Sequence, residues 1–136
     1  TLLCPNPDYI LDPRYIDIAK QNVGEAGGSF RITHDIEDGY RGADVVYAKS
    51  WGALPYFGAW EGEAPMRAML KHFIVDEEKM ALTNNGLFSH CLPLRRNIKA
   101  TDGVMDAPYC VAVDEAENRL HVQKALMEYL LLGRIG

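Results

Sequence analysis

The sequence predicts an α/β fold: an open, mostly parallel sheet with helices on both faces, Rossmann-like in outline but without a dinucleotide fingerprint. Short apolar runs of strand length alternate with longer segments of helical period, the pattern that crossover connections of a parallel sheet produce. One run, Asp44-Val45-Val46-Tyr47-Ala48, is nearly continuously apolar after its first residue, as expected of a strand covered on both faces. No GxGxxG occurs, so the fold carries no nucleotide argument with it. With 136 residues, 48% of them hydrophobic, the chain matches one ordinary domain with a real core.

The elements follow in order. Leu2-Leu3-Cys4 reads as a strand already under way at the first residue, stopped by Pro5 and Pro7. From Pro13 the apolar residues Tyr15, Ile16, Ile18, Ala19, Val23 and Ala26 lie three to four apart. Asp12 is the expected N-cap, Pro13 the first helical residue, and Gly27-Gly28 the stop. Phe30 to His34 alternates as a strand, and Asp35 caps a brief helix reaching Gly39 or Tyr40. Asp44 to Ala48 is the next strand, with Lys49 and Ser50 at its end. The stretch Trp51 to Trp60, rich in glycine and aromatics but without period, reads as an ordered loop. Helices are expected over Pro65 to His72 and Val75 to Leu82, the second capped by Asp76 and ended by Asn84-Asn85-Gly86. Leu87 to His90 returns to strand, Thr101 to Met105 is too short to assign, Cys110 to Val113 is a strand, and Asn118 to Leu132 is a long amphipathic helix. The total is about five strands.

Composition excludes several classes. A formal net charge of −5, with no basic run longer than two residues, argues against nucleic acid as a partner. No apolar run approaches the roughly 20 residues that span a bilayer, and no charged leader precedes one, so no membrane association and a cytoplasmic location are expected. Cys4, Cys91 and Cys110 form no CxxC pair, and His34, His72 and His121 show neither HxH nor HExxH spacing, so no metal is expected.

In parallel α/β sheets ligands bind outside the carboxyl ends of the strands. The segments after Ala48, Phe88 and Val113 are therefore expected to converge on one rim. Lys49 is either a solvated head on an apolar stem or a fixed charge for a substrate carboxylate. The aromatics Trp51, Tyr56, Phe57 and Trp60 wall such a pocket or anchor the loop on a neighbouring subunit. The run His90-Cys91-Leu92-Pro93-Leu94-Arg95-Arg96-Asn97 releases a thiol and two guanidinium groups from a strand end, where an anion could be held. Adjacent residues of an extended chain point to opposite sides, which works against a Cys91–His90 nucleophile pair. Each of Arg95 and Arg96 either grips an anion or pairs structurally with an acidic residue. Lys99 enlarges this positive field or lies on the surface. In Asp114-Glu115-Ala116-Glu117-Asn118-Arg119 the carboxylates suit a helix start, and Arg119 is either an anion ligand oriented by Glu115 or half of a routine helix pair.

Three segments, GADVVYAKSWG at 42–52, HCLPLRRN at 90–97 and DEAENRLHVQKA at 114–125, resemble in identity, order and separation the amino-acid-binding part of the aspartate and ornithine carbamoyltransferase superfamily. Within it the similarity is to the N-acetylornithine branch. The resemblance implies that residues 1–136 form a C-terminal ornithine-binding-type domain, incomplete at its N-terminal side. Ornithine enzymes carry an Asp two residues before the loop Trp, where it meets a free α-amino group; here that position is Lys49. Acylation removes the substrate's ammonium but leaves its carboxylate, so a cation gains a purpose there. The family's Ser-Met-Gly is replaced by Gly52-Ala53-Leu54.

Carried over residue by residue, Cys91 and Arg119 resemble catalytic groups, and Lys49, Trp51, Cys91, Leu92, Pro93, Arg95 and Arg119 substrate-binding ones. Lys99 is a candidate for carboxylation, which would turn a cation into an anion. The reaction implied is carbamoyl transfer from carbamoyl phosphate to N-acetyl-L-ornithine within a full-length enzyme, in arginine biosynthesis, with a homotrimer sharing active sites between subunits. The resemblance implies no other cofactor either. N-succinylornithine and ornithine are alternative acceptors, and the isolated segment could also stand as a structural or assembly module without activity.

Overall fold

The computed structural model describes residues 1–49 and 52–133. Strand β1 (Leu2–Leu3) leads through a 3-10 turn at Pro7–Tyr9 into α1 (Pro13–Ala26). Local side chains decide both ends of α1. The Asp12 carboxylate accepts the Arg14 N–H at 2.9 Å, Pro13 occupies the first turn, and Gly27 takes φ 72° to close the helix with its N–H on the Val23 carbonyl. Strand β2 (Ile32–Thr33) lies parallel to β1, pairing Leu2 with Ile32 and Leu3 with Thr33. Helix α2 (Ile36–Tyr40) is capped by Asp35, as its sequence predicts.

Strand β3 (Val45–Tyr47) is followed by a 3-10 turn at Leu54–Tyr56 and by α3 (Trp60–Met69). Helix α3 begins five residues before the expected Pro65, which lies inside it. The earlier turn is favoured because helical spacing lets Glu63 reach Arg67, and Glu63 is fully buried. A 3-10 turn at Lys71–Phe73 and helix α4 (Glu77–Met80), capped by Asp76, lead to strand β4 (Leu87–Ser89). Gly86 enters β4 so close to the Ala43 carbonyl that a Cβ would sit 2.7 Å from its oxygen, a space only glycine fits. The segment too short to assign forms α5 (Asp102–Met105), capped by Thr101.

Two expectations change at the end of the chain. The strand anticipated over Cys110 to Val113 is a single parallel bridge between Cys110 and Phe88, and α6 (Ala112–Leu132) starts six residues ahead of Asn118. Negative charge in the first turn, from Asp114 and Glu115, favours that helix start over an extended chain.

The parallel α/β class is as predicted, with helices on both faces, but the strands form two parallel pairs, β1–β2 and β3–β4, instead of one continuous sheet. In the second pair Val45, Val46 and Tyr47 register with Leu87, Phe88 and Ser89. Residues of β1 and β3 both line a cavity of about 280 Å³. Tyr40, Val75, Met80, Phe88, Ala100 and Val104 form the core, and Leu3 and Val46 pack against it. A second cluster joins Cys4, Tyr9 and Ala53. The chain that follows β4 is stitched to the core by Val75, whose N–H meets the Lys99 carbonyl and whose carbonyl accepts from Thr101, both at 2.9 Å. Core packing thus fixes the backbone on which the exposed Arg95 and Arg96 and the half-buried Lys99 stand.

Candidate active site at the strand ends

Period two along β3 continues past its end, so Tyr47 and Lys49 project to one side of the chain. They meet Cys91, two residues beyond the end of β4. The Lys49 ammonium donates to the Cys91 Sγ at 3.2 Å, and the Tyr47 hydroxyl lies beside the same sulfur while donating to Glu115 Oε1 at 2.9 Å. Ser89, the last residue of β4, donates to the other Glu115 oxygen. From the second turn of α6, Arg119 donates to the Cys91 carbonyl at 3.3 Å. Two strand ends and the start of one helix thereby converge, as the expected rim requires.

The electrostatics follow from these contacts. Lys49, then Tyr47, hold the Cys91 thiol below its ordinary value. Ser89 first, and Tyr47 after it, hold the Glu115 carboxyl low against its partial burial. Tyr47 is pushed up to about 12, chiefly because it donates to Glu115. The Glu115 oxygens accept from Tyr47 and Ser89, and Arg119 acts on Glu115 as a nearby charge. The Arg119 guanidinium turns to the corner at Cys91.

His90 is buried, and burial first, then Lys49, keep its imidazole below its usual value. Its Nδ1 receives the Leu92 N–H at 2.9 Å. That bond uses the ring's acceptor on backbone and leaves no base for the thiol, in line with the geometric argument against a Cys–His pair. Leu92 adopts φ 41°, an uncommon conformation outside glycine that costs on the order of 1–3 kcal/mol. The Leu92–Pro93 peptide is cis. The corner is therefore a sharply folded exit from β4, with the Pro93 ring exposed.

The two arginines part company. Arg96 pairs with Asp102 at 2.9 Å and Asp106 at 2.6 Å, a brace across the loop into α5. Arg95 is exposed. Lys99 is half-buried and lines both the 280 Å³ cavity, which Lys49 also lines, and a second cavity of about 600 Å³ bordered by Trp60, Arg67, Lys71 and Ile98. Burial, then Arg67 and Arg95, keep the Lys99 ammonium below the usual lysine value, with Glu63 opposing. Glu63 also accepts the Ala53 N–H at 3.0 Å, anchoring the loop that follows Lys49. Trp51, expected to bind substrate, and Ser50 lie outside the described residues.

Tyr47 and Ser89 were not anticipated as site residues. Each stands two positions before a residue that was, Lys49 and Cys91, so strand period alone could have found them. Among the described residues no group of three His, Cys, Asp or Glu side chains could hold a metal ion, and no helix is long and apolar enough to cross a membrane.

Residues 1–130 match the family described as aspartate/ornithine carbamoyltransferase, Asp/Orn binding domain. The chain belongs to this family. It is 72% identical over 131 residues to an N-acetylornithine carbamoyltransferase of Xanthomonas campestris pv. campestris, covering 96% of this chain and 39% of the relative. An ornithine carbamoyltransferase of Burkholderia mallei is 42% identical over 131 residues, covering 96% of this chain and 40% of that protein. The crystal structure of acetylornithine transcarbamylase complexed with acetylcitrulline has a TM-score of 0.92 to this chain at 70% identity, covering 99% of this chain and 39% of that one. The chain thus spans about two fifths of the length of these carbamoyltransferases.

Proposed function

We propose that this chain is the C-terminal, amino-acid-binding part of a carbamoyltransferase that carries the carbamoyl group of carbamoyl phosphate to the δ-amine of N-acetyl-L-ornithine. The products are N-acetyl-L-citrulline and phosphate. The neutral amine attacks the carbonyl carbon, a C–N bond forms, the C–O bond to phosphate breaks, and the amine's surplus proton is lost. Catalysis comes mainly from holding two reactants together and from cations facing the charge that develops on oxygen.

The observation that carries the acceptor assignment is Lys49 beside Cys91, a cation where ornithine enzymes carry an Asp. Higher identity to N-acetylornithine enzymes than to an ornithine enzyme supports it. In this reading Lys49 and Trp51 hold the acylated amino acid. Cys91, Leu92 and Pro93 form the corner that receives the δ-amine, Arg119 contacts carbamoyl phosphate, and Arg95 adds to the positive rim. Lys99, whose half-burial among cations disfavours its own charge, is the lysine open to carboxylation. The working form is a homotrimer with shared sites, in the cytoplasm, serving arginine biosynthesis.

The test is turnover of the full-length enzyme with ornithine, N-acetylornithine and N-succinylornithine, before and after Lys49→Asp. N-acetylornithine is expected to be preferred. The substitution replaces an attraction for its carboxylate by a repulsion and raises KM by roughly tenfold or more, with carbamoyl phosphate affinity held within about twofold. Preference of the unchanged enzyme for free ornithine refutes the assignment. Equal loss of both substrates in the variant makes Lys49 structural.

A further inference from the structure

Glu115 does something the reaction scheme does not require of it. Among the described residues it is the carboxylate that joins three elements of the site: its two oxygens take Tyr47 from β3 and Ser89 from β4, and its own backbone lies in the first turn of α6, one helical turn before Arg119. Tyr47 has a single hydroxyl proton and two neighbours able to accept it, Glu115 and the Cys91 sulfur. A carboxylate is the stronger acceptor, and the 2.9 Å bond to Glu115 shows where the proton points.

Resting on the carbamoyltransferase reading, we propose that Glu115 is a positioning residue: it claims the Tyr47 proton so that Cys91 keeps its own, and it locks the strand ends that carry Lys49 and Cys91 in register with Arg119. A protonated thiol is an uncharged neighbour for the incoming δ-amine, and the Lys49 ammonium, which spends one of its three N–H donors on that sulfur, keeps its full charge for an acceptor carboxylate. Around Cys91 the charged and titratable groups are Lys49 and Tyr47 from β3, His90 and Arg119 on either side of the corner, and Glu115 itself. Of these Glu115 alone adds negative charge near the sulfur while removing a donor from it.

Two readouts on the full-length enzyme test this. In steady-state kinetics Glu115→Ala is expected to lower kcat/KM for N-acetylornithine by roughly tenfold or more. Glu115→Gln, whose amide can still accept from one hydroxyl and donate to the other, is expected to retain activity within about threefold. The second readout is the pH profile of Cys91 alkylation by iodoacetamide, with the labelled cysteine identified by mass spectrometry. In Glu115→Ala the Tyr47 proton turns to the sulfur, and the midpoint moves to lower pH. In Glu115→Ala with Tyr47→Phe that movement is reversed. An unmoved midpoint overturns the proposal, as does a shift that survives Tyr47→Phe and so reports only lost negative charge. Gln as damaging as Ala overturns it as well. Alkylation needs no substrate, so an enzyme that fails to carbamoylate N-acetylornithine refutes the acceptor reading while the thiol profile still decides the role of Glu115.

Discussion

Glu63→Ala is the most demanding stability test the structure offers, because the side chain is wholly buried yet charged. Its carboxylate is held low, against burial, by the Ala53 N–H and by Arg67. Truncation leaves the buried Ala53 N–H without its acceptor, at a cost of about 1–3 kcal/mol. It also strands Arg67, but that side chain is 38% exposed and can turn to water, so the total should fall near the low end of the roughly 3–5 kcal/mol typical of a broken buried pair. Glu63→Gln keeps an acceptor for Ala53 and loses only the ionic part, about 1 kcal/mol. Urea denaturation of the full-length enzyme is the assay. The expected order is wild type, Gln, Ala, with Ala lower by about 3 kcal/mol. Because Ala53 lies in the loop after Lys49, the Ala variant should also raise KM for the acceptor. A loss below about 1 kcal/mol, or a Gln variant equal to Ala, refutes the claim that this carboxylate anchors the loop.

Other expectations concern the core and pH. Phe88→Ala empties a fully buried position between β3 and the Cys110 bridge, and should cost about 3–5 kcal/mol in the same assay. His90 has a folded-state pKa below its unfolded value, so its neutral form stabilises the fold above about pH 6.5, and that contribution is lost as pH falls through the folded pKa. His90→Gln should flatten the decline of Tm as pH falls below about 6.5, a slope measurable by calorimetry.

What could be read from sequence was decided locally. Asp12, Asp35 and Asp76 cap the helices expected of them, since a cap needs only its own first turn. The start of α3 was missed because proline at a first turn is a strong local signal, and here the Glu63–Arg67 pair on the buried face outweighs it. The last strand was overestimated because Cys110 to Val113 is apolar enough to extend, while the carboxylate that ends it, Glu115, is tied to Tyr47 and Ser89 far away in sequence. The split of the sheet was likewise invisible, since a period of two says that a strand exists and nothing about its neighbour. For the site, Lys49 and Cys91 were legible as types at strand ends and Arg119 as one near a helix start. Their meeting was not, and the partition of Arg95 from Arg96 depended on Asp102 and Asp106 folding back as α5.

That partition also shapes how the rim can work. Arg96 is bound to two carboxylates, so Lys49, Arg95 and Arg119 are the cations proposed to serve the corner, against the negative charge of Glu115. In the proposed reaction a dianionic donor and a carboxylate-bearing acceptor together bring more negative charge than the net positive charge of these groups, so each cation has to serve one reactant. Lys49 reaches the sulfur side of Cys91 and Arg119 reaches its carbonyl side. The two cations contact different atoms of one residue, and in the proposed reading Cys91 divides the acceptor's half of the rim from the donor's. Conversion of Lys49 to Asp should consequently be felt by the acceptor alone, while an equivalent change at Arg119 should be felt by the donor.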